Sequence, residues 1–206
     1  MSKKIRIAIN GFGRIGRAFY KLAKERLELE VVAVNDLGSQ ENLEYLLKYD
    51  SVYGPWKGKF DAKFLQEKDP SKLPWKDLGI DIVVEASGAF ESYEKASLHR
   101  DAGAKRVVIT APAKDEDSGE NKTVLMGINE EDLKTCTITS NGSCTTNSAS
   151  PIMQILNQKL GIRKAFLNTV HGYTATQSLI DSPTKGLDLR RGRAAAINIV
   201  PSTTGA

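Results

Sequence analysis

Cys144 is the residue whose neighbours best suit covalent chemistry. It lies in the segment 140–147, SNGSCTTN, among hydroxyl and amide side chains with almost no apolar bulk. A predicted strand at 135–140 ends just before it, and the unpaired amides and dipole of a following helix would favour the reactive thiolate. A helix that starts only at Pro151, a favoured first-turn position, would weaken that effect. Two interpretations stay open, a nucleophile or a small packed residue.

His171 is the second candidate for chemistry. The segment 164–171 alternates as a strand does, and His171 ends it, followed by the hydroxyl-rich stretch GYTATQ at 172–177. A histidine at a strand end beside such a turn suits a general base. The alternative is a histidine that is hydrogen-bonded in a purely structural turn.

A glycine-rich turn near the N-terminus predicts a phosphate-binding site. A strand at 5–10 leads into GFGRIG at 11–16, a helix at 17–26 and a strand at 31–36 that ends in Asp36. In this pattern Gly11 makes the tight turn, Gly13 admits a pyrophosphate and Gly16 allows close helix packing. The Asp36 carboxylate can bind ribose hydroxyls and would repel a 2′-phosphate, so NAD is favoured over NADP. A tight turn without a ligand is the alternative.

Alternating strands and helices must position these groups. Further strands are predicted at 78–85 and 106–110, with a helix at 92–101 on which His99 faces solvent. Such alternation predicts a doubly wound, mainly parallel α/β sheet, whose carboxyl edge binds ligands. The strand at 135–140 would deliver Cys144 to that edge. A helix at 151–160 and strands at 164–171 and 198–200 then begin a second unit.

Composition limits the classes of partner. The net charge is +4 with scattered basic residues, so no nucleic acid is predicted, and no apolar run is long enough for a membrane span. Two cysteines make neither a disulfide framework nor a zinc site, and no other metal site is expected. The first residues lack a signal-peptide pattern, which predicts a cytoplasmic protein.

Four segments together resemble one family, the phosphorylating glyceraldehyde-3-phosphate dehydrogenases. The resemblance extends along the whole chain. It is close at 9–17 (INGFGRIGR), 143–147 (SCTTN), 169–177 (TVHGYTATQ) and 188–196 (DLRRGRAAA). The cysteine pentapeptide and the histidine nonapeptide are the specific part of the match.

The resemblance implies a role for each motif. Cys144 would attack the aldehyde of glyceraldehyde 3-phosphate, with His171 as its base. The resulting hemithioacetal would pass a hydride to NAD, and inorganic phosphate would release 1,3-bisphosphoglycerate from the thioester. The amide of Cys144 and His171 would hold the oxyanion. Phosphate positions would be Ser143, Thr145, Thr174, Thr204 and Gly205, and cofactor positions Arg14, Ile15, Asp36, Lys68 and Thr110, beside the three glycines.

The resemblance also implies an organisation. Residues 1–142 would be a Rossmann-type NAD-binding domain, and 143–206 the N-terminal, incomplete part of an α+β catalytic domain. The end at Ala206 suggests truncation relative to the family, and residues 178–196 resemble the segment that meets a neighbouring subunit in a homotetramer. Two alternatives to the glycolytic dehydrogenase stay open: a catalytically incomplete NAD-binding module or split subunit, and an erythrose-4-phosphate dehydrogenase.

Overall fold

A computed structural model describes residues 3–184 and 186–206. The chain divides into two compact units, Met1–Ser143 and Cys144–Ala206. Along the described ranges, no helix combines the length and the apolar character needed to cross a membrane.

The first unit is built on a parallel sheet of seven strands. In chain order its strands are β1 (Ile5–Asn10), β2 (Leu29–Asn35), β5 (Lys63–Leu65), β6 (Ile82–Glu85), β7 (Arg106–Ile109), β8 (Asn121–Thr123) and β9 (Ile138–Ser140); β3 (Tyr49–Asp50) and β4 (Gly54–Pro55) form a separate hairpin. The spatial order is β5-β2-β1-β6-β7-β9-β8, and every pairing in the sheet is parallel. The order changes direction between β1 and β6, which makes the carboxyl ends of these strands the topological switch point. The predicted doubly wound α/β class is thus confirmed.

Helices cover both faces of this sheet. In the first unit these are α1 (Arg14–Lys24), α2 (Gln40–Lys48) and α3 (Tyr93–Asp101); the second unit has its own helix, α4 (Cys144–Leu160). Short 3-10 turns occupy Pro70–Lys72, Glu130–Lys134 and Leu189–Gly192. The Oγ atoms of Ser39 and Ser92 cap α2 and α3 by accepting hydrogen bonds from backbone amides in the first turn.

Two apolar clusters follow from the alternation of side chains along β1. Ile7 and Ile9 pack with residues of α1 and α2, whereas Ala8 faces the opposite cluster with residues of α3. The two clusters lie on the two faces of the sheet, so this unit has three layers. Its large buried side chains include Trp75 and Tyr20.

His99 is buried, which corrects the prediction that it faces solvent. Its side chain is 0% exposed and packs between Trp75 and Phe90. It accepts a hydrogen bond from the indole Nε1 of Trp75 and bonds to Glu85. The helical position of His99 was compatible with either face, and these partners, distant in sequence, decide which face is buried.

The second unit differs from the prediction in two ways. Its helix begins at Cys144 and continues through Pro151, instead of restarting there. The segments 164–171 and 198–200, predicted as strands, have no regular structure. A strand exists only through hydrogen bonds to a neighbouring strand, and within the described residues neither segment belongs to a ladder.

Candidate active site

The glycine turn follows β1 and packs tightly. Gly11 has φ of 92°, and a Cβ built there would lie 2.4 Å from the Cα of Ser87. A Cβ on Gly16 would lie 2.1 Å from the carbonyl oxygen of Gly11, so α1 can sit this close to the turn only with glycine. Gly13 differs, because a Cβ there would meet nothing within 4 Å. The turn is therefore closed on its inner side and open at Gly13.

The start of α1 suits an anion. Gly13 is its N-cap residue, no side chain caps the first turn, and no acidic residue lies there. Arg14 and Ile15 are exposed at this end. Amides directed outward and the positive end of the helix dipole make such a terminus a binding site for phosphate groups.

Asp36 lies beside this turn. One carboxylate oxygen accepts the amide hydrogen of Phe12 at 2.6 Å, and the other accepts that of Gly38 at 2.8 Å. The side chain thus joins the end of β2 to the glycine turn. Each oxygen still has lone-pair capacity, so the carboxylate can also accept ribose hydroxyls.

Arg14 is held by Asp50, a residue that the sequence interpretation did not select. The guanidinium lies 3.0 Å from one carboxylate oxygen of Asp50, and Lys21 Nζ lies 3.1 Å from the other. Backbone amides of Val52 and Tyr53, together with these two cations, hold the pKa of the Asp50 carboxyl well below its usual range. Asp50 therefore stays charged and fixes Arg14 at the start of α1.

Lys68 and Thr110 lie at two different places on the sheet's carboxyl edge. Lys68 is exposed and follows β5, the neighbour of β2. Thr110 follows β7, and both its amide and its hydroxyl donate to the carbonyl oxygen of Glu85 at 3.0 Å. The predicted cofactor residues thus spread along the edge from β5 to β7, on both sides of the switch point.

Cys144 and His171 are brought together in the second unit. Sγ of Cys144 lies 3.2 Å from Nε2 of His171, and both residues are exposed. Cys144 is the first residue of α4, where the positive end of the helix dipole favours an anion. Residues 27 apart in the sequence therefore form one thiol–imidazole pair.

The tautomer of His171 follows from its second nitrogen. Nδ1 lies 2.6 Å from the carbonyl oxygen of Gly172, which can only accept a hydrogen bond. Nδ1 therefore carries hydrogen, and in the neutral ring Nε2 has the free lone pair. That lone pair faces the sulfur, so His171 can accept the proton of the Cys144 thiol.

Each member of the pair shifts the other toward its charged form. The hydrogen bond to His171, with a smaller contribution from Thr145, lowers the pKa of the Cys144 thiol. The bond to the Gly172 carbonyl and the bond to Cys144 raise the pKa of His171. Both shifts favour a thiolate–imidazolium pair, which is the nucleophilic state of cysteine.

The predicted phosphate residues have varied surroundings. Thr145 is buried in the first turn of α4, while Ser143 closes the first unit just before it. Thr174 Oγ1 lies 2.9 Å from Thr176 Oγ1, to which Arg191 donates at 2.7 Å. The structure thereby adds a cation near Thr174 that the sequence interpretation did not select. Thr204 and Gly205 are exposed in the terminal segment, where Thr204 Oγ1 accepts from the amide of Ala206.

The signals for Asp50 and Arg191 in the sequence are weak. Asp50 is an acidic residue in a tyrosine-rich turn, and its role becomes visible only through its ion pair with Arg14 in the folded protein. Arg191 belongs to the basic segment 190–193, and the composition of this segment alone suggests a solvent-exposed surface. Both residues act across long sequence distances, which local pattern does not encode.

Sequence comparisons identify the family. Residues 5–93 match the family model described as glyceraldehyde 3-phosphate dehydrogenase, NAD binding domain, and residues 143–206 match its C-terminal domain. Similar proteins named glyceraldehyde-3-phosphate dehydrogenase come from Thermotoga maritima at 53% identity and Clostridium acetobutylicum at 47%, each over 98% of this chain. One from Mycoplasma pneumoniae is 49% identical over 100% of it. The chain spans 63% of the length of these relatives. It belongs to the glyceraldehyde-3-phosphate dehydrogenase family.

Proposed function

We propose that the chain carries the NAD site and the thiol–imidazole pair of a phosphorylating glyceraldehyde-3-phosphate dehydrogenase of glycolysis. One observation carries this proposal, the 3.2 Å contact between Cys144 Sγ and His171 Nε2. In the proposed division, residues 1–142 bind NAD and residues 143–206 contribute the reacting groups.

NAD fits the residues of the first unit. The open backbone at Gly13 and the uncapped start of α1 suit its pyrophosphate, and Asp36 suits the adenosine ribose. When bound, NAD supplies the hydride acceptor for the oxidation. Arg14, Ile15, Lys68 and Thr110 would complete the contacts along the edge.

Cys144 would act as the covalent nucleophile. As its sulfur attacks the aldehyde carbon, the thiol proton passes to Nε2 of His171 and a carbon–sulfur bond forms. The carbonyl oxygen, with the amide of Cys144 and the His171 imidazolium as its hydrogen-bond donors, then takes this proton from Nε2 and becomes the hemithioacetal hydroxyl, which leaves His171 neutral again. His171 would take up the hydroxyl proton as the carbon is oxidised to the thioester.

Inorganic phosphate would complete the reaction. One of its oxygens attacks the thioester carbon, the carbon–sulfur bond breaks, and the thiolate of Cys144 is regenerated as the acyl phosphate leaves. The hydroxyl and amide groups of the small polar segments would hold the phosphate groups of substrate and attacking anion. We assign this role to Ser143, Thr145, Thr174, Thr204 and Gly205.

A direct assay tests the proposal. We expect this chain to produce NADH when it is given glyceraldehyde 3-phosphate, inorganic phosphate and NAD, followed by absorbance at 340 nm. Cys144→Ser should abolish the oxidation because an alcohol is a far weaker nucleophile, while NAD affinity by calorimetry stays within about twofold of the original.

The other outcomes separate the alternatives. Tight NAD binding without turnover in the unsubstituted chain would favour an NAD-binding module. Faster turnover with erythrose 4-phosphate would favour that substrate instead. Undiminished oxidation by the Cys144→Ser variant would contradict the thioester route.

We further propose a cytoplasmic, homotetrameric protein. Glycolytic chemistry requires free NAD and sugar phosphates, which the cytoplasm supplies. The resemblance of residues 178–196 to the subunit-contact segment of the family supports the assembly. Light scattering after gel filtration tests it, and a monomer at all concentrations would contradict it.

A further inference from the structure

The first unit contains a row of buried polar side chains at the carboxyl ends of three neighbouring strands. Asn35, Asn10 and Glu85 are the last residues of β2, β1 and β6, and they are register partners across the sheet. They are 4%, 3% and 2% exposed, respectively. Polar groups buried this deeply cost free energy unless every hydrogen bond is made.

The direction of each hydrogen bond in this row is determined by its two ends. The amide of Glu67 donates to Asn35 Oδ1 at 2.8 Å, so Nδ2 of Asn35 must be the donor to Asn10 Oδ1, at 2.7 Å. Nδ2 of Asn10 then donates to Oε2 of Glu85 at 2.6 Å. The chain of donors therefore runs from β2 toward β6.

A second chain of donors reaches Glu85 from the helix side. The indole of Trp75 has only a hydrogen to offer and lies 3.0 Å from Nδ1 of His99, so that nitrogen carries the lone pair. Nε2 of the neutral His99 ring then carries the hydrogen and donates to Oε2 of Glu85 at 2.9 Å. Both chains end on the same carboxylate oxygen, which acts only as an acceptor.

The other oxygen of Glu85 holds the turn after β6. Oε1 accepts from the backbone amide of Ser87 at 2.8 Å and from its hydroxyl at 2.5 Å. Ser87 is the residue against which Gly11 packs without room for a Cβ. One carboxylate therefore joins Asn10, directly before the glycine turn, to Ser87, directly against it.

We propose that Glu85 is a positioning residue for cofactor binding. Its carboxylate fixes the glycine turn against the turn at Ser87, and so sets the geometry that the pyrophosphate of NAD would meet at Gly13. This inference rests on the proposed NAD site. Glu85 itself is buried beneath the turn and acts through Asn10 and Ser87, without touching the cofactor.

The test uses the isosteric change Glu85→Gln. Both oxygens of the Glu85 carboxylate accept hydrogen bonds from donor groups. The NH₂ group of a glutamine, which is itself a donor, must therefore face at least one of these donors. The side chain can turn its nitrogen toward Ser87, whose hydroxyl can reverse, but the amide of Ser87 then loses its acceptor. We expect NAD to bind about tenfold more weakly by calorimetry, since bonds to charged groups are the strong ones.

Trp75→Phe is the matched control in the same network. It removes the donor to His99 and leaves every bond to Glu85 in place. Both variants should lower the urea midpoint measured by circular dichroism, but Trp75→Phe should keep NAD affinity within about twofold. An equal loss of affinity in the two variants would assign the effect to general core damage and overturn the proposal.

The remaining outcomes also decide. A folded Glu85→Gln variant with unchanged NAD affinity overturns the positioning role alone. If that variant does not fold, Ser87→Ala decides, because it removes the hydroxyl bond to Glu85 and keeps the backbone. An affinity loss of about threefold at an unchanged urea midpoint supports the proposal, and unchanged affinity overturns it. Failure of the unsubstituted chain to bind NAD would reject the cofactor site itself.

Discussion

Cys144 and His171 form a pair whose protonation is set by a few short contacts. The acceptor at Gly172 fixes which ring nitrogen faces the sulfur, and the sulfur in turn raises the pKa of the ring. The thiol pKa is lowered chiefly by the same contact. The contact with His171 is therefore the main contact that favours the thiolate of Cys144.

Alkylation by iodoacetamide tests this dependence without any cofactor or substrate. His171→Asn should move the pH profile of Cys144 alkylation to higher pH, because the thiol loses the partner that lowers its pKa. At neutral pH the alkylation rate should fall severalfold, because a smaller fraction of the Cys144 thiol is then ionised. Mass spectrometry of the labelled peptide gives the rate.

The second cysteine provides the control. Cys136 is 1% exposed and should not react while the protein is folded, so Cys144→Ser should abolish labelling. An unchanged alkylation profile in His171→Asn would show that the imidazole does not activate the thiol.

Residues found from the sequence and those missed differ in the range of their contacts. Cys144 and His171 stand out because small polar neighbours surround each of them locally. The roles of Asp50 and Glu85 depend on hydrogen bonds to partners far away along the chain, Arg14 and Asn10 respectively. The burial of His99 cannot be predicted from helical spacing, because its partner Glu85 belongs to a different element.

At the scale of elements, the β1–turn–α1 segment carries the strongest local constraints. Two of its glycines have no room for a side chain, and the third has free space around it. Packing therefore requires Gly11 and Gly16, whereas only a ligand would require Gly13. This difference separates stability from binding within one short turn.

Two alanine substitutions exploit that difference. Gly16→Ala should destabilise the fold by about 1–3 kcal/mol, because its Cβ would lie 2.1 Å from the Gly11 carbonyl oxygen and α1 must shift. Gly13→Ala, at φ of −70°, should leave the urea midpoint unchanged and weaken NAD binding roughly tenfold. Unchanged NAD affinity in Gly13→Ala would place the pyrophosphate elsewhere.

The elements of the first unit were largely predictable, and those of the second were not. Apolar strands, glycine turns and serine caps are local signals, so the order of strands and helices through 106–110 agreed with the pattern. The alternation at 164–171 was equally clear, yet alternation describes which face a strand would bury and not whether a neighbour pairs with it. The residues before Pro151 likewise do not show whether this proline starts a helix or lies inside one, and the structure places it inside α4.

At the scale of the whole molecule, the two units differ in how much they bury. Both apolar clusters lie in the first unit. In the second unit Ala195 is buried, but Ile152, Leu160 and Phe166 are 59%, 80% and 92% exposed. Burial of apolar surface is the main source of stability, so the two units should not share one stability.

Hydrogen exchange measured by mass spectrometry should show this difference. Peptides from β1, β6 and β7 should be protected to nearly the global free energy of unfolding, while peptides from Cys144–Ala206 exchange much faster. Trp56 and Trp75 both lie in the first unit. The urea concentration at which their fluorescence changes should be higher than the concentration at which peptides of the second unit lose their protection from exchange. Equal protection in both units would contradict the prediction.

The group that orients His171 belongs to the main chain of the very next residue. No exchange of a distant side chain can delete a peptide carbonyl, so the imidazole keeps its anchor through nearly any change in its surroundings. Substitutions of neighbouring side chains therefore leave the acceptor for Nδ1 of His171 in place. Only an edit to the peptide unit at Gly172, such as an ester linkage that weakens the carbonyl as an acceptor, would loosen it.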